Sequence, residues 1–369
     1  MSPGLEKRSL RPVISIELSI HFSNIRFHSL TESTLTSYYQ RYTYHLRKSF
    51  PTPQIMSKPW LLYAYPWQPF PRRLVIYLRE RNIPSSTVTL VHVSDVQFGD
   101  KPPVGFPPKP PGSLPVLAIP KPPSSGREEF IFIKQSIAIM EFLEEACITG
   151  RYGFPRLPQP LTLPINVPGA DDITDITRTS NSDDANAISR ALISARHSEL
   201  LSLASGLTES WNSIRTFGSG AGTMRIPTAA KEMLGWTHRN LLAIENWFDE
   251  HGYSSASLKW DGNDKGNDND DNDNCCHHGR QATIAEIVLF QFFEFTKDCY
   301  GIDMTQSSGK KVIDVYGREV VESYPRLERF YEDFSTRPSA KRHAELGDVP
   351  HERWAKKMTD WSEGIFEDK

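Results

Sequence analysis

The sequence predicts an α/β domain followed by an all-helical domain. An apolar run of strand length at residues 60–65, a turn rich in proline and a segment of helical period at 72–82 form a strand–turn–helix unit. Beyond residue 185, the apolar residues recur at helical spacing over long stretches. The length of 369 residues leaves room for two such domains.

Composition and charge indicate which classes of molecule the protein is not expected to bind, and in which compartment it is expected. The formal net charge of −3 gives no reason to expect nucleic acid or an anionic membrane as a partner. No stretch approaches the roughly 20 consecutive apolar residues of a membrane span. Four cysteines, two of them adjacent, do not form the pattern of a disulfide framework, so we expect a reducing, cytoplasmic compartment.

Residues 1–57 are interpreted as an extension outside the fold. Residues 1–55 hold seven Lys or Arg against three Glu, with many Ser, Thr and Tyr and little period. A disordered or spurious extension is one interpretation, because the Met56-Ser57-Lys58 run would be a natural start. A mitochondrial targeting peptide, as basic Ser-rich leaders can be, is the other.

The strand–turn–helix unit opens the first domain, predicted over residues 58–148. The turn at 66–71 lies at a helix start, where unpaired backbone N–H groups and the helix dipole favour an anion. Pro71 is expected at the first helical position, where its missing N–H costs nothing. The alternating run at 86–93 predicts a second strand, reached by a right-handed parallel crossover.

The remainder of this domain is predicted as loop, hairpin and helix. Six prolines between residues 102 and 111 exclude regular structure there. Residues 114–119 and 129–133 are expected to pair as a hairpin, with Pro115 at a strand edge or in a cis bond. Residues 135–146 then predict an amphipathic helix.

A linker at 149–186 leads to the helical domain, predicted over 187–369. Helices are expected over 185–215 and 227–250, and a helix that is apolar nearly all round follows the capping box Thr283–Glu286. A polar insertion at 253–281 interrupts them. Its run of six Asp and five Asn lacks the Gly and Glu positions of a calcium loop, and residues 275–278 are too close together for a tetrahedral site, so no metal is expected.

Five stretches together resemble the cytosolic glutathione S-transferases, and the insertions are similar to those of fungal transferase-like proteins. The stretches are 68–73 (QPFPRR), 112–117 (GSLPVL), 135–139 (QSIAI), the capping box with its buried helix, and 324–327 (YPRL) leading to 336–339 (TRPS). The resemblance covers roughly residues 58–340. It implies a thioredoxin-like N-terminal domain, a helical transferase C-terminal domain, and glutathione as co-substrate.

The resemblance also implies binding residues for glutathione. Pro115 would be cis, and Leu114 would pair its main chain with the cysteinyl backbone of glutathione. Ser136 and Gln135 would hold the γ-glutamyl carboxylate and amine at a helix start; a plain helix N-cap is the alternative for both. Lys101 and Lys109 are equal candidates for the glycyl carboxylate.

The position that activates the thiol departs from the family pattern. The family commonly has Ser or Cys before the Pro-Phe of the turn, whereas this chain has Gln68. Its amide NH₂ can donate a hydrogen bond to a thiolate. Tyr63 and Tyr65 on the strand are alternatives, although packing in a core or an interface is the favoured interpretation of both.

A second-substrate pocket is expected between the domains, lined by Trp67, Trp211 and Arg215. Core packing is the alternative for Trp211.

These residues predict an enzyme that transfers the glutathione thiolate to a small apolar electrophile. The alternative is a catalytically weak, glutathione-binding or regulatory protein with the same fold, motivated by Gln68. A glutaredoxin-like reductase is disfavoured because the turn contains no cysteine. A homodimer is expected by analogy with the family.

Overall fold

A computed structural model describes residues 58–93, 103–121, 129–150, 152–157, 163–165, 182–219, 224–260 and 280–366. The N-terminal extension, the Asp/Asn-rich run and residues 275–278 lie outside the described residues. Among the residues that are described, no helix is long and apolar enough to cross a membrane.

The first part of the chain forms a four-stranded mixed sheet with two helices. Its elements are β1 (Trp60–Ala64), α1 (Pro69–Glu80), β2 (Val88–His92), β3 (Val116–Pro120), β4 (Phe130–Lys134) and α2 (Ser136–Thr149). The strand order is β2-β1-β3-β4, with β1 parallel to β2 and antiparallel to β3. This topology confirms the predicted thioredoxin-like arrangement.

Helix α1 begins two residues earlier than the sequence indicated, at Pro69 instead of Pro71. Proline fixes φ near its helical value, and the first helical turn needs no N–H, so both prolines fit in that turn. The Arg72 N–H donates to the Gln68 carbonyl at 2.8 Å, which closes the first turn of the helix. Gln68 is therefore the residue that flanks the helix start.

The second part of the chain is mainly helical. It contains α3 (Ser182–Ser219), α4 (Pro227–Glu250), α5 (Ile284–Tyr300), α6 (Pro325–Ser335) and α7 (Glu352–Phe366). The capping box before α5 is confirmed: the Thr283 hydroxyl accepts from the Glu286 N–H, and the Glu286 carboxylate accepts from the Thr283 N–H at 2.8 Å. As predicted, α5 is buried along most of its length.

The expectation that only helices follow the linker is wrong at one place. A short antiparallel hairpin, β5 (Lys311–Ile313) with β6 (Glu319–Val321), lies between α5 and α6. Each strand has three residues, which is too short for a periodic signal. The hairpin closes through Asp314, whose carboxylate accepts from the backbone N–H groups of Tyr316 and Arg318.

One continuous core joins the sheet to the helices. It includes Leu62 and Leu117 of the sheet, Leu74 of α1, and the apolar side chains of α5. A second, smaller core covers the other face of the sheet, where Tyr63 and Tyr65 pack with Val91. Helix α1 therefore lies between the sheet and the helical part.

Buried ion pairs reinforce the contact between α1 and the helical part. Arg72, fully buried, donates to both oxygens of Glu294 in α5 and, at 2.9 Å, to Asp348. Further along α1, Glu80 accepts from Arg337 at 2.7 and 2.8 Å. A buried charge is tolerated only when it is paired in this way.

Candidate functional site

The strand register brings the predicted glutathione-binding residues to one end of the sheet. Tyr63 of β1 lies opposite Val116 of β3, which lies opposite Lys134 of β4. One residue beyond this row, towards the same end of the sheet, lie Ala64, Pro115 and Gln135. Two residues beyond it lie Tyr65, Leu114 and Ser136. Neighbouring strands are about 4.8 Å apart, so these segments lie within about 10 Å of each other, the span of a tripeptide.

The Leu114–Pro115 peptide bond is cis, which confirms the geometry that the resemblance implies. Pro115 is buried and Leu114 is half-buried immediately before β3. Because β3 begins only at Val116, the main chain of Leu114 lies beyond the last ladder pair with β1. An extended peptide can pair with a main chain in that position.

The second binding segment, Gln135-Ser136, has an unusual backbone. Gln135 has φ 74° and ψ 125°, a conformation that side chains with a Cβ rarely adopt. It flanks the start of α2, and its side chain caps no N–H of that helix. Ser136 is the first helical residue and is buried. Gln135 thus occupies the N-cap position without a side-chain cap, and such backbone strain is concentrated at ligand sites.

Gln68 lies half-buried at the start of α1, and its side chain makes no capping hydrogen bond. Its own N–H donates to the Tyr65 carbonyl at 3.0 Å. Pro69 and Pro71 have no N–H, so Phe70 carries the remaining backbone donor of the first turn. The helix start therefore offers one backbone N–H, together with the Gln68 amide, to an anion placed beside it.

The two strand tyrosines face away from α1. Tyr63 is fully buried in the second core, and its hydroxyl donates to the Pro107 carbonyl at 2.6 Å. Burial raises the pKa of Tyr63 above its ordinary value. Its hydroxyl therefore holds the proline-rich loop onto the sheet, while Tyr65 packs in the same core.

The residues predicted for a second-substrate pocket lie in two places. Trp67 is half-buried in the turn before α1, with its ring centroid 6.2 Å from that of Trp354 in α7. Trp211 is fully buried and packs edge-to-face on Tyr300 at 5.4 Å, so it makes the core contacts considered as the alternative. Arg215, one turn further along α3, is half-buried beside Tyr300.

Of the two lysines considered for the glycyl carboxylate, only Lys109 is among the described residues. Its ammonium donates to the Gly112 carbonyl at 3.2 Å. Among the described His, Cys, Asp and Glu side chains, no group of three or more is placed to hold a metal ion.

A cavity of about 300 Å³ lies at the opposite end of α1. It is lined by Leu78, Arg79, Glu80, Asn82, Ile83, Trp260, Arg337, Pro338 and Ser339. The charged groups in its wall are paired with each other or with neighbours, as Glu80 is with Arg337 and Ser339. None of the predicted site residues lines this cavity.

The sequence alone did not single out Arg73 or Gln291 as site candidates. Arg73 of α1 and Gln291 of α5 are both buried where α1 meets the helical part. The Arg73 Nε donates to the Gln291 Oε1 at 3.1 Å, and its Nη2 donates to the Thr208 hydroxyl at 2.6 Å. The sequence signal that could have identified this pair is Gln291, a polar residue in the middle of the apolar α5.

No protein-family model matches the chain, and no curated protein matches it. Among solved structures, it is similar to a glutathione S-transferase from Methylobacillus flagellatus KT with glutathione bound, at 16% identity and a TM-score of 0.43 over 79% of this chain and 100% of the other.

Two further solved structures are similar to the chain. One is a maleylacetoacetate isomerase from Anaeromyxobacter dehalogenans 2CP-1, at 17% identity and a TM-score of 0.38 over 79% of this chain and 97% of the other. The other is glutathione transferase Omega 1C from Trametes versicolor, at 16% identity and a TM-score of 0.36 over 84% of this chain and 98% of the other. Identities and TM-scores as low as these do not support a conclusion about the activity of this chain.

Proposed function

We propose that the chain is a glutathione S-transferase-like protein that binds glutathione at the end of the sheet that carries Leu114 and Gln135 and from which β1 leads to Gln68. The observation that carries the proposal is the strand register, which brings Leu114 and Gln135 to this end of the sheet, together with the strained backbone at Gln135. The resemblance to the transferases rests on the same residues.

In this proposal, each polar group of glutathione has a counterpart in the site. The Leu114 main chain pairs with the cysteinyl backbone. Ser136 and the start of α2 hold the γ-glutamyl carboxylate, because helix N-termini favour anions. Gln135 accepts from the amine. Lys109 is the described candidate for the glycyl carboxylate, and Lys101 remains the second candidate.

The thiol would lie against the start of α1. A free thiol has a pKa near 8.5, so about 3% is thiolate at neutral pH. The Phe70 N–H and the Gln68 amide supply hydrogen bonds to the charged form, which lowers that pKa. The thiolate then attacks the electrophile: a carbon–sulfur bond forms, the leaving group takes its electron pair, and the thiol proton goes to water.

The second candidate function is a glutathione-binding or regulatory protein with weak catalysis. It is favoured by the single backbone donor at the start of α1, since Pro69 and Pro71 remove two of the usual ones, and by an amide at position 68. This candidate shares the binding site and differs in the thiol pKa.

Calorimetric titration with glutathione and steady-state turnover with a panel of electrophiles test the proposal. Saturable binding with turnover supports the transferase, and binding without turnover supports the second candidate. Absence of glutathione binding by the folded protein would contradict both.

A further inference from the structure

Arg73 differs from the other deeply buried arginines of the described residues because it has no carboxylate partner. Arg72 pairs with Glu294 and Asp348, Arg81 with Glu144, and Arg337 with Glu80. Arg73 is only 1% exposed, yet among the described residues its hydrogen-bond partners are neutral groups, the Gln291 side-chain carbonyl oxygen and the Thr208 hydroxyl. Fully buried arginines are ordinarily paired with an acid.

The neighbouring Gln291 carries a buried donor that has no acceptor among the described residues. Because its Oε1 accepts from Arg73, its Nε2 carries the two N–H groups, and this atom is buried without a hydrogen-bond partner. A buried donor left without an acceptor is costly. A guanidinium without an acid and an amide without an acceptor thus lie side by side.

Near Arg73, the acidic side chain that acts on its charge is Glu209, which is exposed and forms no ion pair with it in the described part of the chain. The junction of Arg73, Thr208 and Gln291 is therefore rich in donors and poor in acceptors.

Burial lowers the pKa of Arg73 to about 9, so its guanidinium is still charged at neutral pH. Loss of solvent disfavours that charge, and a bound anion would restore it.

Arg73 also lies close to the reacting end of the proposed glutathione site. It is five residues after Gln68, a rise of about 7.5 Å along a helix. Side chains on a helix lean towards its N-terminus, and the Arg73 guanidinium carbon lies 4.9 Å from the ring centroid of Phe70 in the first turn. A group held by Arg73 would thus be one small molecule away from the thiol.

We infer that Arg73, together with the Gln291 amide, recognises a carboxylate on the second substrate, so that the preferred electrophiles are small carboxylic acids. A guanidinium presents parallel N–H groups that match a carboxylate in two-point contact. This inference rests on the proposed function for the identity of the reaction, but the anion site itself is independent of glutathione.

Two unreactive probes that differ in one charge test the site: 3,5-dinitrobenzoate and its methyl ester, titrated by calorimetry without glutathione. We expect the wild type to bind the acid more tightly than the ester. Arg73→Gln should weaken binding of the acid by about 10–100-fold, the range for a charged hydrogen bond, and leave the ester unchanged. Arg329→Gln removes a mostly exposed arginine and serves as the control for net charge.

A second variant keeps the test decisive if Arg73→Gln does not fold. Gln291→Glu places a carboxylate beside Arg73, so it should raise the melting temperature and abolish the preference for the acid. Equal binding of acid and ester by the wild type, or an unchanged preference in Gln291→Glu, would overturn the inference. A retained preference for the acid with no glutathione binding would contradict the proposed function while supporting the anion site.

Discussion

At the scale of single residues, the proposed site combines a strained backbone with the donors of two helix starts. Gln135 is held at φ 74° beside Ser136, and Gln68 flanks α1 with its amide free of any capping role. Two helix starts thus face one end of the sheet, α1 for the sulfur and α2 for the γ-glutamyl carboxylate. Each offers donors to an anion.

Ser136→Ala should weaken glutathione binding by about tenfold, because one hydrogen bond to a carboxylate is lost from a buried position. Calorimetric titration of the variant measures the change. Ser198→Ala is the matched control, since that exposed hydroxyl on α3 donates only to the Ser194 carbonyl. Equal affinity of both variants and the wild type would remove Ser136 from the site.

At the scale of elements, packing decided what the sequence pattern could not. The strands, α4 and the capped α5 were predictable because their apolar periods are long and their ends carry strong signals, as at Pro227 and Thr283. The start of α1 was predicted two residues too late, because residues 69–71, which form its first helical turn, also have the composition of a loop. The hairpin at 311–321 was too short to have a period.

We expect His197 to make the stability of the contact at the start of α5 depend on pH. The ring Nε2 of His197 accepts from the Ala285 N–H at 3.4 Å, so it must be unprotonated at that atom. Burial lowers the pKa of His197 below its ordinary value, although the charges of Glu286 and Glu144 oppose this. The unfolded chain therefore binds the proton first, and stability is lost as the pH falls through and below about 6.5.

We predict that His197→Gln, which keeps an acceptor but cannot titrate, loses less stability than the wild type on acidification. Urea unfolding between about pH 7.5 and 5.5 measures the free energies that are compared. Parallel curves for the two proteins would show that His197 does not contribute to the pH dependence.

At the scale of the whole molecule, α1 joins the site to the helical part. Its N-terminus is the proposed position of the sulfur, while Arg72 and Glu80 on the same helix are paired with residues of the helical part. The sequence indicated that the two parts pack together, but not these partners. Glu294 and Asp348 lie 222 and 276 residues from Arg72, and no local pattern encodes such pairs.

Arg72→Met should lower the free energy of unfolding by about 3–5 kcal/mol, because Glu294 and Asp348 would stay buried with less compensation. Lys311→Met, which breaks an ion pair between two mostly exposed side chains, Lys311 and Glu319, should cost about 0–1 kcal/mol. Urea unfolding of both variants makes the comparison. A similar small loss in both would show that the Arg72 pairs do not hold the two parts together.

The binding half of the proposed site follows from residues that the sequence identified in advance, namely Leu114, Pro115, Gln135 and Ser136. The residues on the second-substrate side of the proposed site were harder to predict from the sequence. Trp211 and Arg215 have the right spacing for one helix face, but only the packing of α3 against α5 and α7 shows that Trp211 is enclosed. Arg73 became a candidate because its lack of an acid partner is a property of the folded chain.

The most direct test is the pKa of the glutathione thiol when bound, followed by ultraviolet thiolate absorbance. The account predicts a value below the ordinary 8.5 of a free thiol, and a further increase in thiolate in Gln68→Ser, whose hydroxyl is the shorter and more rigid donor. Bound glutathione with an unshifted pKa, and no change in Gln68→Ser, would contradict the placement of the sulfur at the start of α1.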